Sequence, residues 1–325
     1  MELSEPPSSP VRDDVQPASS AADASAAIKA KPIELSQDDT LEDAAAAIFF
    51  ASLEHFLANV PLLPTSSAPE SVHQMRVALR RLRAAIGLFR PTLGGPALET
   101  ARDRAKTLAS VLGAARDWDV FGVALKSGVQ DAIGDDASFH ALTDTLESCR
   151  EKAYRAAHEA VSSDDTSRFV GDLQLAIERH DWEVEPEMRT PGSACRFAAH
   201  ALTRLHKRLL KKSKGLATLS AEERHLVRIA LKKARYGAEF FESLFADGKA
   251  VHAYLRTLSD MQDQLGVFND MEVANGLLDR IDAENPEALR ASGFIRGWFA
   301  HAAQQGVAHA KKSEKRLKKL APFWT

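Results

Sequence analysis

From Leu41 almost to the C-terminus, apolar residues recur three and four positions apart, the spacing of one face of an α-helix. Strand-like alternation of apolar and polar residues is scarce, and Ala, Leu, Arg, Lys and Glu dominate. Pro, Gly, Ser and Asn interrupt this pattern at 61–69, 91–96, 134–138, 162–166, 186–192, 214–221, 247–248 and 285–286. The segments between these breaks run to about 15 to 25 residues, a length that suits a helix bundle. The pattern predicts an all-α protein. Residues 1 to 40 lack periodic apolar positions and are rich in Ser, Pro, Ala and Asp, so they are expected to form a disordered tail.

Two blocks of sequence recur in the same order. His73-Gln-Met-Arg-Val-Ala-Leu-Arg-Arg-Leu-Arg83 returns as His225-Leu-Val-Arg-Ile-Ala-Leu-Lys-Lys-Ala-Arg235, 152 residues later. Leu112-Gly-Ala-Ala-Arg-Asp-Trp-Asp-Val120 returns as Leu265-Gly-Val-Phe-Asn-Asp-Met-Glu-Val273, 153 residues later. A shared order and a nearly constant offset indicate an internal duplication. Two similar helical halves are therefore expected, over 41–186 and 193–324, packed about a pseudo-two-fold axis.

The first repeated block is cationic on one side. Taking His73 as zero and about 100° per residue, Arg80, Arg76 and Arg83 fall at roughly −20°, −60° and −80°. Met75, Leu79, Leu82, Ile86 and Phe89 fall between roughly 160° and 240° on the same projection, which makes theirs the buried face. In the second copy Arg228, Lys232 and Arg235 share a face with His225, and Tyr236 joins it, while Val227, Leu231, Ala234, Ala238 and Phe241 lie opposite. An ordinary surface helix mixes signs at i,i+4, whereas these put bases at i, i+4 and i+7 with no acid before Glu239. Arg204, Lys207, Arg208 and Lys211 repeat such spacing upstream, turned away from Leu202, Leu205 and Leu209. A solvated basic face explains one such helix. Two copies at equivalent places favour an anion-binding role, because the guanidinium fork fits phosphate oxygens and Lys acts as a point charge. The two histidines are read equally well as capping or surface residues, and metal ligation is disfavoured because no other ligand stands at the right spacing. The acids of the second block, Asp117, Asp119, Asp270 and Glu272, are expected to pair with the cationic helices.

Charge adds to this picture only when it is read by region. The chain of 325 residues has a formal net charge of −3, with 45% hydrophobic and 27% charged residues. Residues 1–45 hold ten acids and three bases, His73–Arg116 nine bases and two acids, and Arg196–Arg235 twelve bases and two acids. Lys311, Lys312, Lys315, Arg316, Lys318 and Lys319 crowd the C-terminus and read as a solvated helix end. No unbroken run of 18 apolar residues occurs, so no membrane span is expected, and Cys149 and Cys195 form no motif, as suits a reducing cytoplasm.

Enzyme signatures are missing. There is no phosphate-binding Gly-rich loop, no nucleophile elbow, and His158-Glu159 is followed by Ser162 where a zinc-binding motif needs His. Asp117-Trp118-Asp119 lies in helical sequence and not at a strand end. No catalysis, cofactor or metal is expected.

The blocks H-x-x-R-V-x-x-R-R-x-R and H-x-x-R-I-x-x-K-K-x-R-Y, the paired L-G-x-x-R/N-D blocks and the ending Lys318-Lys-Leu-Ala-Pro-Phe-Trp324 resemble the CHAD family, the conserved histidine α-helical domain. The resemblance covers roughly residues 41–324. It implies two four-helix bundles related by a pseudo-two-fold axis, and binding of inorganic polyphosphate in a central basic groove. Carried onto this chain, it implies contacts from His73, Arg76, Arg80, Arg81 and Arg83 with His225, Arg228, Lys232, Lys233 and Arg235. The stretch Arg204, Lys207, Arg208 and Lys211 matches the family less strictly. Polyphosphate granules are one cellular setting it implies. The alternative from the charge pattern is RNA or DNA, but single-strand binders interleave stacking aromatics with their bases, and only Tyr236 is available here. Oligomeric state is not legible.

Overall fold

The computed structural model describes residues 27–63 and 69–324. Ten helices make up nearly all of it: α1 (Leu41–Asn59), α2 (Pro69–Phe89), α3 (Pro96–Ala124), the single turn α4 (Gln130–Ile133), α5 (Ala137–Val161), α6 (Asp164–Arg179), α7 (Ser193–Lys212), α8 (Ala221–Phe241), α9 (Gly248–Glu284) and α10 (Leu289–Lys318). Each break expected from Pro, Gly and Ser clusters falls between helices, and local chemistry explains the ends. Thr40, Asp136, Ser163 and Asp247 accept hydrogen bonds from the first free backbone N–H groups of α1, α5, α6 and α9. Ser220 and Glu223 form a reciprocal capping box at α8. Gly95, at φ 141°, turns the chain into Pro96 at the head of α3, a backbone conformation that side chains rarely adopt. The only strands among the described residues are β1 (Leu93–Gly94) and β2 (Glu183–Val184), an antiparallel pair that clips two of these turns together.

α1 packs on α2, α2 on α3, α7 on α8, α8 on α9 and α9 on α10, while α2 and α8 meet across the middle. The main core takes Ile48, Phe49 and Phe56 of α1, Met75, Leu79 and Phe89 of α2, Leu108 of α3, Leu202 of α7, Val227 and Phe241 of α8 and Leu258 of α9. A second cluster joins the far ends of α3 and α5 to α9 and α10, through Trp118, Phe121, Leu142, Leu146, Leu278, Ile281 and Ile295. Both clusters draw on chain from either side of the 186–193 break: α2 meets α8 and α1 meets α7 in the first, and α5 meets the long helices α9 (37 residues) and α10 (30 residues) in the second. The first half also holds one more long helix than the four expected. This is α6, which buries Phe169, Leu173 and Ile177 in the main core and packs on α3 and α1.

One expectation needs correction. The expected disordered tail of residues 1–40 lies partly outside the described residues, but 27–40 are docked. Ile28 exchanges hydrogen bonds with Asn59, Ser243 Oγ accepts from the Leu35 N–H and donates to the Ile33 carbonyl, and Ile33 and Leu35 are buried. Two apolar side chains two residues apart suffice for docking but are too few to register as a period. Leu41–Leu62 is long and apolar enough on average to cross a membrane, although it has no unbroken apolar run. In the fold its apolar side chains Leu41, Ile48, Phe49, Leu53 and Phe56 are core residues.

Candidate anion-binding site

The apolar faces of α2 and α8 are buried as their periodicity requires, and the two helices pack against each other. That contact brings the cationic residues of the two repeated blocks together. Arg76 and Arg80 of α2 and Arg228 and Arg235 of α8 all lie close enough to Lys232 to oppose its protonation. Burial is the larger cause, and together these effects push the Lys232 ammonium down to about 7. His73 is likewise driven to about 4, first by burial and then by Arg116, Arg80 and Arg76, against the pull of Glu70. The imidazole is therefore neutral at pH 7 and contributes no positive charge. Burial and the positions of Arg80 and Arg76 also disfavour the charge on Arg228, with Asp270 and Asp117 opposing.

The two copies of the block are held differently. Arg76 Nη1 donates to the Gly113 carbonyl and to Asp117 Oδ1, both at 3.1 Å. A Cβ on Gly113 would stand 3.1 Å from that nitrogen, so the glycine of the Leu-Gly block makes room for the guanidinium. Its counterpart Gly266 has nothing within 4 Å. Arg228 Nε and Nη1, Arg80 Nε and Arg83 Nε are buried atoms with no hydrogen-bond partner. Buried N–H groups of a charged side chain are costly to leave unpaired.

Three expected features differ. Arg81 is buried and commits its guanidinium to Glu239 Oε2 at 2.5 Å, with its Cζ 5.2 Å from the Phe240 ring centre. Tyr236 is only 4% exposed and stacks on Phe240, so it belongs to the core and not to the cationic face. Both sit where α2 crosses α8, and a projection of one isolated helix cannot see that the other covers it. Asp119 pairs with Arg150 of α5 at 2.8 Å and accepts from the Tyr154 hydroxyl at 2.7 Å, so among the first block's acids it is Asp117 that faces the cationic helix.

Arg235 is ion-paired with Glu239 at 3.4 Å. His225 is exposed at the start of α8, and Arg204, Lys207, Arg208 and Lys211 line the solvent side of α7. Of these four, Arg208 approaches the cluster, where it and Arg102 hold down the pKa of the Lys233 ammonium after burial has done so. Arg102 and Arg116, both on α3, were not among the expected site residues. Their signal was present: 14 residues apart, they fall within about 40° of each other on a helical projection.

The CHAD domain family model matches residues 47–279. The crystal structure of the CHAD domain from the plant Ricinus communis superposes with a TM-score of 0.78 at 30% identity, covering 91% of this chain and 98% of that one. PptA from Streptomyces chartreusis superposes with a TM-score of 0.66 over 86% of this chain and 100% of its own, and at 16% identity this likeness is one of fold. No curated protein sequence matches the chain. With more than half its length matched by the family model and a 30% identical domain covered almost end to end, the chain belongs to the CHAD family.

Proposed function

We propose that the protein binds inorganic polyphosphate, without chemical turnover, in a groove lined by the cationic faces of α2 and α8. The observation that carries this reading is the crowding of Arg76, Arg80, Arg228 and Lys232 from two helices, with buried guanidinium nitrogens left unpaired. Like charges brought together under partial burial raise the free energy of the folded chain, and a polyanion offsets that cost at each phosphate. The aromatic rings near these bases, Tyr236 and Phe240, are buried, which disfavours a ligand held by base stacking. The same proposal includes a cytoplasmic, reducing setting, with Cys149 and Cys195 both free, and association with polyphosphate granules.

Competition at fixed salt tests it. Labelled long-chain polyphosphate is expected to be displaced by unlabelled polyphosphate and far less by RNA or sulfate at equal charge. The affinity should also fall steeply with salt, by about 0.7 to 0.9 log units per log unit of salt for each phosphate neutralised, if nucleic-acid behaviour carries over. Equal displacement by RNA, or an affinity indifferent to salt, counts against the proposal.

A further inference from the structure

We propose that Asp117 is an internal competitor for the anion. Its carboxylate holds Arg76 where a phosphate oxygen would, so of the two equivalent arginines of the repeated blocks Arg228 is open to the ligand, and Arg76 is not until Asp117 yields. This concerns the regulation of the site proposed above and rests on that reading.

The two copies carry the same three residue types: Arg76, Gly113 and Asp117 in the first, Arg228, Gly266 and Asp270 in the second. Their surroundings differ. Arg76 Nη1 donates at 3.1 Å to both Asp117 Oδ1 and the Gly113 carbonyl. The guanidinium lies against Gly113, where an added Cβ would meet Nη1 at 3.1 Å and Cζ at 3.4 Å. Nothing stands within 4 Å of the same position on Gly266. Arg228 therefore does not rest on the glycine of its own block, and its buried Nε and Nη1 have no hydrogen-bond partner. One residue more lies between Arg228 and Gly266 than between Arg76 and Gly113, so the repeat is out of register at this contact.

A carboxylate and a phosphate oxygen take the same place on a guanidinium. Asp117 is tethered beside Arg76 and half-exposed, so it competes at high local concentration. An anion that takes Arg76 also leaves the displaced negative charge close by. Arg228 presents no such rival on its unpaired nitrogens. Burial disfavours the charge on Arg228, while Asp270 and, less strongly, Asp117 favour it, so Asp117 acts on the field at both arginines. Asp117 accordingly sets the affinity below what the cationic cluster alone would give.

The test measures long-chain polyphosphate binding to the full chain and to Asp117→Asn, Arg76→Gln and Arg228→Gln, and to Asp117→Asn combined with each arginine change. Asparagine keeps an oxygen for Arg76 and removes only the charge, and Asp117→Ser is the second variant if thermal melting shows the first to be unfolded. Asp172→Asn is the control, since Asp172 pairs with Arg104 at 3.0 Å and its loss changes the net charge equally. Asp117→Asn is expected to bind about threefold or more tighter, with a salt dependence steeper by about one counterion, and Asp172→Asn to stay within about twofold. Arg228→Gln should weaken binding about tenfold or more, and Arg76→Gln at least about threefold less than that, whereas in the Asp117→Asn chain the two losses should be equal. Equal or weaker binding by a folded Asp117→Asn chain makes Asp117 a support for Arg76 and overturns the proposal. So does equal tightening by Asp172→Asn, or equal losses from the two arginine changes in the unaltered chain. Failure of the unaltered chain to bind overturns the polyphosphate reading itself, a result seen before any variant is compared.

Discussion

At the scale of single residues, the site is defined as much by suppressed charge as by charge. Lys232, down at about 7, and His73, down at about 4, are bases whose protonation the neighbouring guanidinium groups resist. A bound polyanion reverses that field and favours the protonated forms. Polyphosphate affinity is therefore expected to fall as pH rises through about 7, where the free protein loses the Lys232 proton. Titration from pH 6 to 9 at constant ionic strength checks this, and Lys232→Arg should flatten the profile, because Arg stays charged throughout. Stability of the unliganded chain responds in the opposite direction. With the folded pKa below that of the unfolded chain, the unfolded state binds more protons between the two values, so this group makes stability rise with pH from about 7 towards the ordinary lysine range. Denaturant melts across that window read the slope, which saturating polyphosphate should reduce. Arg81 tests the opposite case. Committed to Glu239, it is expected to cost stability on change to Ala, with a smaller loss of affinity than Arg80→Ala.

At the scale of elements, α2 and α8 each separate an apolar folding face from a cationic face. Leu82 and Phe89 are no more than 1% exposed, and replacing either by Ala should cost about 2 to 5 kcal/mol in denaturant unfolding while affecting affinity only through the unfolded fraction. The double change Arg80→Glu with Lys232→Glu should leave the circular dichroism of the folded chain intact. It removes two charge-assisted contacts, each worth roughly 1.5 to 3 kcal/mol, and adds two repulsions, so affinity should drop by orders of magnitude. A double variant that is folded and binds as before would place the ligand elsewhere. Helix periodicity made this division legible, since the apolar positions of α2 and α8 are the buried ones. It misplaced Tyr236, and the family resemblance misplaced Arg81, because the crossing of α2 over α8 buries positions that each helix alone presents to water.

For the whole molecule, the core is continuous across the 186–193 break, and the segments at either end of the described residues take part in it. Phe323 and Trp324 pack on Tyr254 with ring centres 5.4 and 5.1 Å away, and Trp324 Nε1 donates to Thr203 Oγ1 at 2.9 Å. The segment 27–40 closes the other side through Ile33, Leu35 and the bonds to Asn59 and Ser243. Its removal is expected to lower the melting temperature while leaving polyphosphate affinity within about twofold, since none of its residues lies among the cationic cluster. A truncation with an unchanged melting temperature would show that the segment adds nothing to the fold.

The order of helices, their caps and breaks, and the two cationic faces were present in the chain itself, because turns and amphipathic periods are local properties that residues a few positions apart settle among themselves. The conjunction of those faces was not. That Arg228 and Lys232 stand beside Arg76 and Arg80, that Arg102 approaches Arg83 and Lys233, and that Glu239 takes up Arg81 all depend on how helices distant in sequence cross. Burial and Coulomb interaction act through space, so the charge state of Lys232 and the unpaired nitrogens of Arg228 came into being only when the core had set those crossings.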